Sequence, residues 1–241
     1  MTGAPRPIGV LGGMGPEATV LLMSRVIALT PAEDDRDHVP LIVDQNPQVP
    51  SRIAALLDGG GEDPAPVLAA MARRLAGFGV AALAMPCNTA HHYAEAVRRA
   101  APETPFLDMP ALAAAALADR VGRGARIGML ASPAVRKVGL YDVAFAPRDL
   151  APLWVEDQDA LLEAIRRLKR DAEDPVARDL FLAAATQLAK AGAAALCVAC
   201  TEFSLVACHL TDDPPALTPP ALDALDVLAA AIRDASLAAP D

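Results

Sequence analysis

Two cysteines in this chain follow matching stretches of sequence. Cys87 lies in GVAALAMPCNT (residues 79–89) and Cys200 in GAAALCVACTE (residues 192–202). The segments align without a gap, pairing Gly79 with Gly192, Leu83 with Leu196 and Cys87 with Cys200. A single thiol in such a place can be a packing residue, a metal ligand, a redox group or an acid–base catalyst. Two equivalent thiols can do something that one cannot. Inverting a stereocentre that carries a hydrogen needs a base on one face and an acid on the other, because one base returns the proton to the face it came from. Cysteine becomes a workable base if its pKa falls from about 8.5 toward neutrality, and a helix expected directly after each cysteine would favour this. Asn88 and Thr89 in one copy, with Thr201 and Glu202 in the other, would hold a substrate carboxylate and polarise it as charge develops at Cα.

Other chemistries are open to the same residues. Cys197 and Cys200 form a Cys-x-x-Cys string, but a redox pair sits at a helix N-terminus, and the repeat places Cys197 inside a strand. Cys87, Cys197, Cys200, Cys208, His91, His92 and His209 could ligate zinc, yet neither a second Cys-x-x-Cys nor a His-x-x-x-His pair accompanies them. Cys197 and Cys208 read most simply as small buried hydrophobes. His91 and His92 read as surface or cap residues of the following helix. A Cys87–His dyad is weaker than the Cys–Cys pair, since Ser204 and Leu205 stand where the repeat would need histidines. Neither a metal nor a cofactor is expected, and nothing marks a pyridoxal phosphate site.

The elements that must position these thiols alternate short apolar runs with longer amphipathic ones, as in βαβ units around a parallel sheet. IGVLG at 8–12 reads as a first strand, followed by a glycine turn and a helix opened by Pro16 and Glu17. VPLIVDQNP is a second strand, and a helix from about Ser51 should end at Gly59–Gly61. A further helix, the strand VAALAM and the strand FLDM complete this half. IGMLAS at 127 repeats IGVLGG at 8 and opens a second half, whose strand AAALCVA ends at Cys200. TDDPPALTPP reads as a linker, and LDALDVLAAAIRDASL as a last helix. The expected architecture is α/β, with two pseudo-symmetric domains, each a parallel sheet flanked by helices. The first comprises residues 1–112 plus 221–241 and the second residues 113–220. Ligands bind at the carboxyl ends of parallel strands, so the expected site is a cleft between the halves.

Composition bounds the partners. With 241 residues, 54% apolar and only 3% aromatic, the chain can bury a core built from Ala, Leu and Val. A net charge of -9 disfavours nucleic acid and anionic membranes, which need clustered Lys and Arg. The N-terminus lacks a signal-peptide pattern, and the longest uncharged stretch, Leu75 to Ala94, is broken by polar residues and proline. Four cysteines do not make a disulfide scaffold. A cytoplasmic protein with reduced thiols and a small-molecule partner is expected.

IGVLGGMGPEAT, MPCNTAHHY and ACTEFSL resemble the aspartate/glutamate racemase superfamily. Within it the chain is similar to the aspartate racemase-like branch. Cell-wall glutamate racemases open with an Asp-Ser-Gly turn and close with Gly-Cys-Thr-His, where this chain has LGGMG and ACTE. The resemblance implies a racemase without pyridoxal phosphate, acting on aspartate or glutamate through two cysteines, and a homodimer. It implies catalytic roles for Cys87 and Cys200. It also implies substrate-binding roles for Gly13, Met14, Ser51, Arg52, Asn88, Thr89, Lys169 and Thr201, with Arg52 a candidate for the side-chain carboxylate. Ser51 stands where the family commonly has Asp, and Ala199 where Gly precedes the second cysteine. Hydantoin racemase and maleate isomerase relatives share the architecture, and a non-catalytic small-molecule-binding protein is the reading from a different class.

Overall fold

The computed structural model describes residues 4–210 and 219–239. Two compact units emerge, one formed by Met1–Met109 with Asp226–Asp241, the other by Pro110–Leu225.

The first unit runs β1 (Ile8–Gly12), α1 (Pro16–Leu29), β2 (Leu41–Gln45), α2 (Ala65–Ala76), β3 (Ala82–Ala84), α3 (Ala94–Ala100) and β4 (Phe106–Leu107). α4 (Met109–Val121) leads into the second unit. That unit continues with β5 (Arg126–Ala131), α5 (Pro133–Lys137), α6 (Leu140–Phe145), β6 (Ala151–Trp154), α7 (Gln158–Leu168), α8 (Pro175–Lys190), β7 (Ala195–Ala199) and β8 (Ala221–Asp223). α9 (Ala224–Leu237) returns the chain to the first unit, where Asp226 pairs with Arg25 of α1 at 3.0 Å. Helix starts follow the capping chemistry of the sequence: Asp157 and Asp174 accept the amides of Ala160 and Ala177 at 2.9 and 2.8 Å.

Each unit holds a four-stranded, all-parallel sheet, in the orders β2-β1-β3-β4 and β6-β5-β7-β8. The repeat extends to register. Ile8 pairs with Ala82 in the first sheet and Ile127 with Ala195 in the second, and these are matched positions of the repeated segments. It extends to packing as well. A Cβ on Gly9 would meet Leu83, Leu75 and Val80 at 2.9–3.2 Å, and one on Gly128 would meet Leu196, Leu188 and Ala193 at 2.7–3.1 Å. These neighbours correspond one to one under the alignment, so a strand glycine lets the α2 or α8 helix press onto its sheet in the same way in both units. The cores are mainly aliphatic, with Leu11, Leu68, Met71, Leu75 and Leu83 in one and Leu161, Ile165, Leu188 and Leu196, around Phe181, in the other.

Three expectations change. The helix from Ser51 is a short π-type turn, Ala54–Asp58, stopped by Gly59 in the left-handed region. The strand at FLDM is limited to Phe106–Leu107, because Met109 already opens α4. Residues 221–223 form β8 and pair with β7, so they lie in the second unit, and the crossing falls after Met109 instead of after residue 112. Of the linker at 211–220, residues 211–218 lie outside the described residues. No helix among the described residues is long and apolar enough to cross a membrane.

Candidate active site

Cys87 leaves the carboxyl end of β3 through Met85 and Pro86, and its amide donates to the Met85 carbonyl at 2.8 Å in a tight turn. The thiol is buried in the cluster that holds Met14, Val49 and Ala90. Asn88 and Thr89 are buried directly beside it. Met14 thus meets the Cys87 region as an apolar neighbour. Gly13 has φ +90, and a Cβ there would fall on the Asn46 backbone. Its amide donates to Thr19 Oγ1 at 2.9 Å, and Asn46 donates to the Gly12 carbonyl at 3.3 Å. The glycine turn after β1 and the loop after β2 are therefore clamped together.

Arg52 lies in that loop. Its Nη1 donates to the carbonyls of Val49 and Pro50 at 3.1 and 3.0 Å, so part of the guanidinium shapes its own loop. Ser51 is exposed, and its hydroxyl accepts from the Ala54 amide at 3.3 Å. Tyr93, six residues past Cys87, has its phenol pushed up by burial and by Asp63, with Arg52 opposing. Arg52 and the segment after Cys87 are therefore in electrostatic reach of one another.

In the second unit Cys200 directly follows β7, buried in a cluster with Phe181 and Phe203. Its Sγ donates to Glu202 Oε2 at 3.0 Å, and Glu202 Oε1 pairs with Lys169 Nζ at 3.1 Å. Lys169 is the C-terminal cap residue of α7, and Thr201, which follows Cys200 in the chain, is buried. Burial first, then the Glu202 carboxylate, pushes the Cys200 thiol well above its ordinary value. The group is thus held as a proton donor.

Two sequence expectations are corrected here. No long helix starts after either cysteine: Thr89–Tyr93 and Phe203–Leu205 are 3-10 turns, and α3 is only seven residues long. Short turns carry little dipole, and at Cys200 burial and the Glu202 carboxylate oppose the thiolate. Glu202 does not wait for a substrate carboxylate, since its own carboxylate takes the Cys200 hydrogen and the Lys169 charge. The objection was already legible in the sequence, because a carboxylate repels a carboxylate.

The remaining candidates separate by burial. Cys197 is fully buried, its thiol pushed up to about 12 chiefly by that burial. It forms no disulfide with Cys200. Cys208 is exposed, against its reading as a buried hydrophobe, because it lies on the outer side of the 3-10 turn Ala207–Leu210, whose Leu210 is the buried residue. His92 is exposed and packs edge-on to Tyr93. His91, expected at the surface, is buried, with one ring nitrogen on the Cys87 carbonyl and the other on the Met109 amide. Its signal was the four-residue spacing from Cys87. Among the described residues no three His, Cys, Asp or Glu side chains gather as a metal centre.

The model of the Asp/Glu/Hydantoin racemase family matches residues 11–233. Among solved structures, Picrophilus torridus aspartate racemase is 27% identical, with a TM-score of 0.83 over 96% of this chain and 94% of that one. An aspartate racemase homologue from Pyrococcus horikoshii shares the fold at 16% identity, with a TM-score of 0.70 over 94% and 97% of the two chains. Glutamate racemase from Francisella tularensis, solved with D-glutamate, shares it at 16% identity, with a TM-score of 0.64 over 95% and 80%. With two like-ordered parallel sheets, a buried cysteine past an equivalent strand in each, and a family match over nearly the whole chain, this protein belongs to the Asp/Glu/Hydantoin racemase family.

Proposed function

We propose that this protein racemises an acidic amino acid, aspartate or glutamate, without pyridoxal phosphate, and that Cys87 and Cys200 exchange protons with opposite faces of Cα. The equivalence of the two cysteines carries the reading: each follows the strand that pairs with the opening strand of its sheet, in the same register. The likeness to Picrophilus torridus aspartate racemase supports the acidic substrate.

In one direction the Cys87 thiolate removes the Cα hydrogen, breaking C–H and forming S–H. Cys200 then delivers its thiol hydrogen to the opposite face, breaking S–H and forming the new C–H bond. In the other direction the roles exchange. The Cys200–Glu202 contact supports Cys200 as the acid of the resting enzyme. Asn88, Thr89 and Thr201 hold the α-carboxylate and stabilise the charge that develops on it. Arg52 and Lys169 supply cations for the side-chain carboxylate, and Ser51, Gly13 and Met14 complete the set.

The test is turnover of a panel of single enantiomers, including aspartate, glutamate, asparagine, alanine, a 5-substituted hydantoin and maleate, by protein treated with EDTA and free of pyridoxal phosphate. Inversion of aspartate or glutamate is expected. Turnover confined to the hydantoin or maleate, or dependent on added zinc or pyridoxal phosphate, would overturn the reading.

A further inference from the structure

The chain around Cys87 leaves one backbone group without its regular partner. In an α-helix the Cys87 carbonyl would accept the amide of His91, four residues on. Here the His91 amide turns to Asn88 instead, at 3.0 Å, because Thr89–Tyr93 is a 3-10 segment. The side chain of the same residue restores the bond, with His91 Nδ1 2.9 Å from the Cys87 carbonyl oxygen. At the other end of the ring, Met109 N lies 3.2 Å from Nε2. Met109 opens α4, where amide groups have no intrahelical acceptor, and it follows β4, the strand next to β3.

We propose that His91 is a positioning residue for Cys87, its neutral ring acting as a strut that fixes the Cys87 peptide relative to the start of α4. The proposal rests on the reading of Cys87 as a proton-transfer group.

The Met109 amide can only donate, so Nε2 is the bare nitrogen and Nδ1 carries the hydrogen given to Cys87. The ring is buried and lies 5.4 Å from the Phe106 ring at a tilt of 40°. The charged groups facing it are Asp108 and Arg98, which pair with one another. Burial lowers the pKa of the imidazole, outweighing Asp108 and the carbonyls of Cys87 and Leu107, which favour the charged ring; Arg98 adds to the lowering. His91 is therefore uncharged at neutral pH, and it serves by its two directional bonds instead of by proton transfer. A thiol must meet a Cα hydrogen within a narrow distance, and a displacement of about 1 Å in such a group lowers turnover on the order of 100-fold. A flat ring bonded to the Cys87 carbonyl at one nitrogen and to the Met109 amide at the other keeps the sulfur from that drift.

Two conservative variants separate the bonds. In His91→Asn the side-chain amide can still donate to the Cys87 carbonyl, and in His91→Gln the side-chain oxygen can still accept from Met109. The expected result is that His91→Asn retains kcat within about threefold, whereas His91→Gln and His91→Ala lose about tenfold or more in kcat with little change in KM. Iodoacetamide labelling of Cys87 is expected to shift in His91→Gln and stay near wild type in His91→Asn. In the unaltered protein, ring-nitrogen NMR should show the Nδ1–H tautomer, a readout that survives if a variant fails to fold. An Nε2–H tautomer, or Cys87 labelling and kcat unchanged in His91→Gln, would overturn the proposal. Labelling is read on the thiol itself, so failure of the racemase reading, seen as full activity in Cys87→Ser, is distinguishable from failure of the strut.

Discussion

Cys200 gives its thiol hydrogen to Glu202 across 3.0 Å, and the same carboxylate is anchored by Lys169 at 3.1 Å. The consequence is asymmetry: of two cysteines that the repeat makes equivalent, one carries a built-in proton holder. Replacing Glu202 by Gln removes the negative charge that resists ionisation, and Cys200 should become more reactive. The expected outcome for Glu202→Gln is about tenfold or more faster iodoacetamide labelling of Cys200 near pH 8, because the neighbouring negative charge no longer opposes the thiolate. Because enantiomers have equal free energy, kcat/KM must stay equal in the two directions for every variant. The altered asymmetry should instead appear as a changed ratio of the two kcat values. Wild-type labelling and an unchanged kcat ratio would show that Glu202 does not set the thiol's state.

Arg52 serves a loop and, in the proposed function, a substrate. Arg52→Ala should lower kcat/KM for aspartate and glutamate by on the order of 2 kcal/mol, through loss of a bidentate carboxylate contact. Arg52→Lys should recover only part of this, since one ammonium cannot cap the Val49 and Pro50 carbonyls and hold a carboxylate with a fork's geometry. Steady-state kinetics with acidic and neutral substrates checks it. Equal kinetics for wild type and both variants would leave Arg52 a purely structural residue.

Gly13 joins the turn after β1 to Asn46. Gly13→Ala adds a Cβ at φ +90, where L side chains are strained, and presses it into the Asn46 backbone. A loss on the order of 3 kcal/mol in unfolding free energy is expected, visible as a lower urea midpoint. A midpoint equal to wild type would mean that the loop moves aside freely.

Stability should fall on both sides of neutrality. The folded state lowers the His91 pKa, so below the ordinary imidazole value of 6.5 the unfolded chain gains protons that the folded chain resists, and stability is lost as pH falls. The folded state raises the Cys197 thiol from 9.0 to about 12, with Cys200 raised too. That contribution is complete below pH 9.0 and fades as pH climbs toward about 12. Urea midpoints across pH, with His91→Asn and Cys197→Ala as controls, check each limb. A variant that keeps the full slope on its limb would contradict the assignment of that limb to the residue removed.

Much of this molecule is legible from residue patterns, for identifiable reasons. The apolar strands, the Pro16 helix start and the Cys87–Cys200 equivalence depend on local periodicity and on a repeat, both carried by contiguous residues. The repeat proves deeper than the matched letters, since the register of Ile8 with Ala82 recurs as Ile127 with Ala195. The misreadings arise where the outcome depends on hydrogen-bond length. An α-helical and a 3-10 course after Cys87 differ only in whether the His91 amide reaches back four residues or three, and that choice decides whether His91 is a surface residue or a buried strut. The direction of the Cys200 shift likewise depends first on how deeply the thiol is buried and then on the Glu202 carboxylate beside it, and no spacing rule specifies either. β8 escaped notice because three residues are too few to show alternation.

The most direct test of the two-cysteine account follows L-aspartate and L-glutamate in D2O at early times, scoring deuterium at Cα separately in the remaining L substrate and the newly formed D product. With separate thiols for removal and delivery, the product carries solvent deuterium while the unreacted substrate keeps its hydrogen, and formation of deuterated product nearly vanishes in Cys87→Ser and in Cys200→Ser, leaving at most exchange with one enantiomer. Product that retains the original hydrogen, label entering substrate and product at equal rates, or undiminished inversion in either serine variant would contradict it.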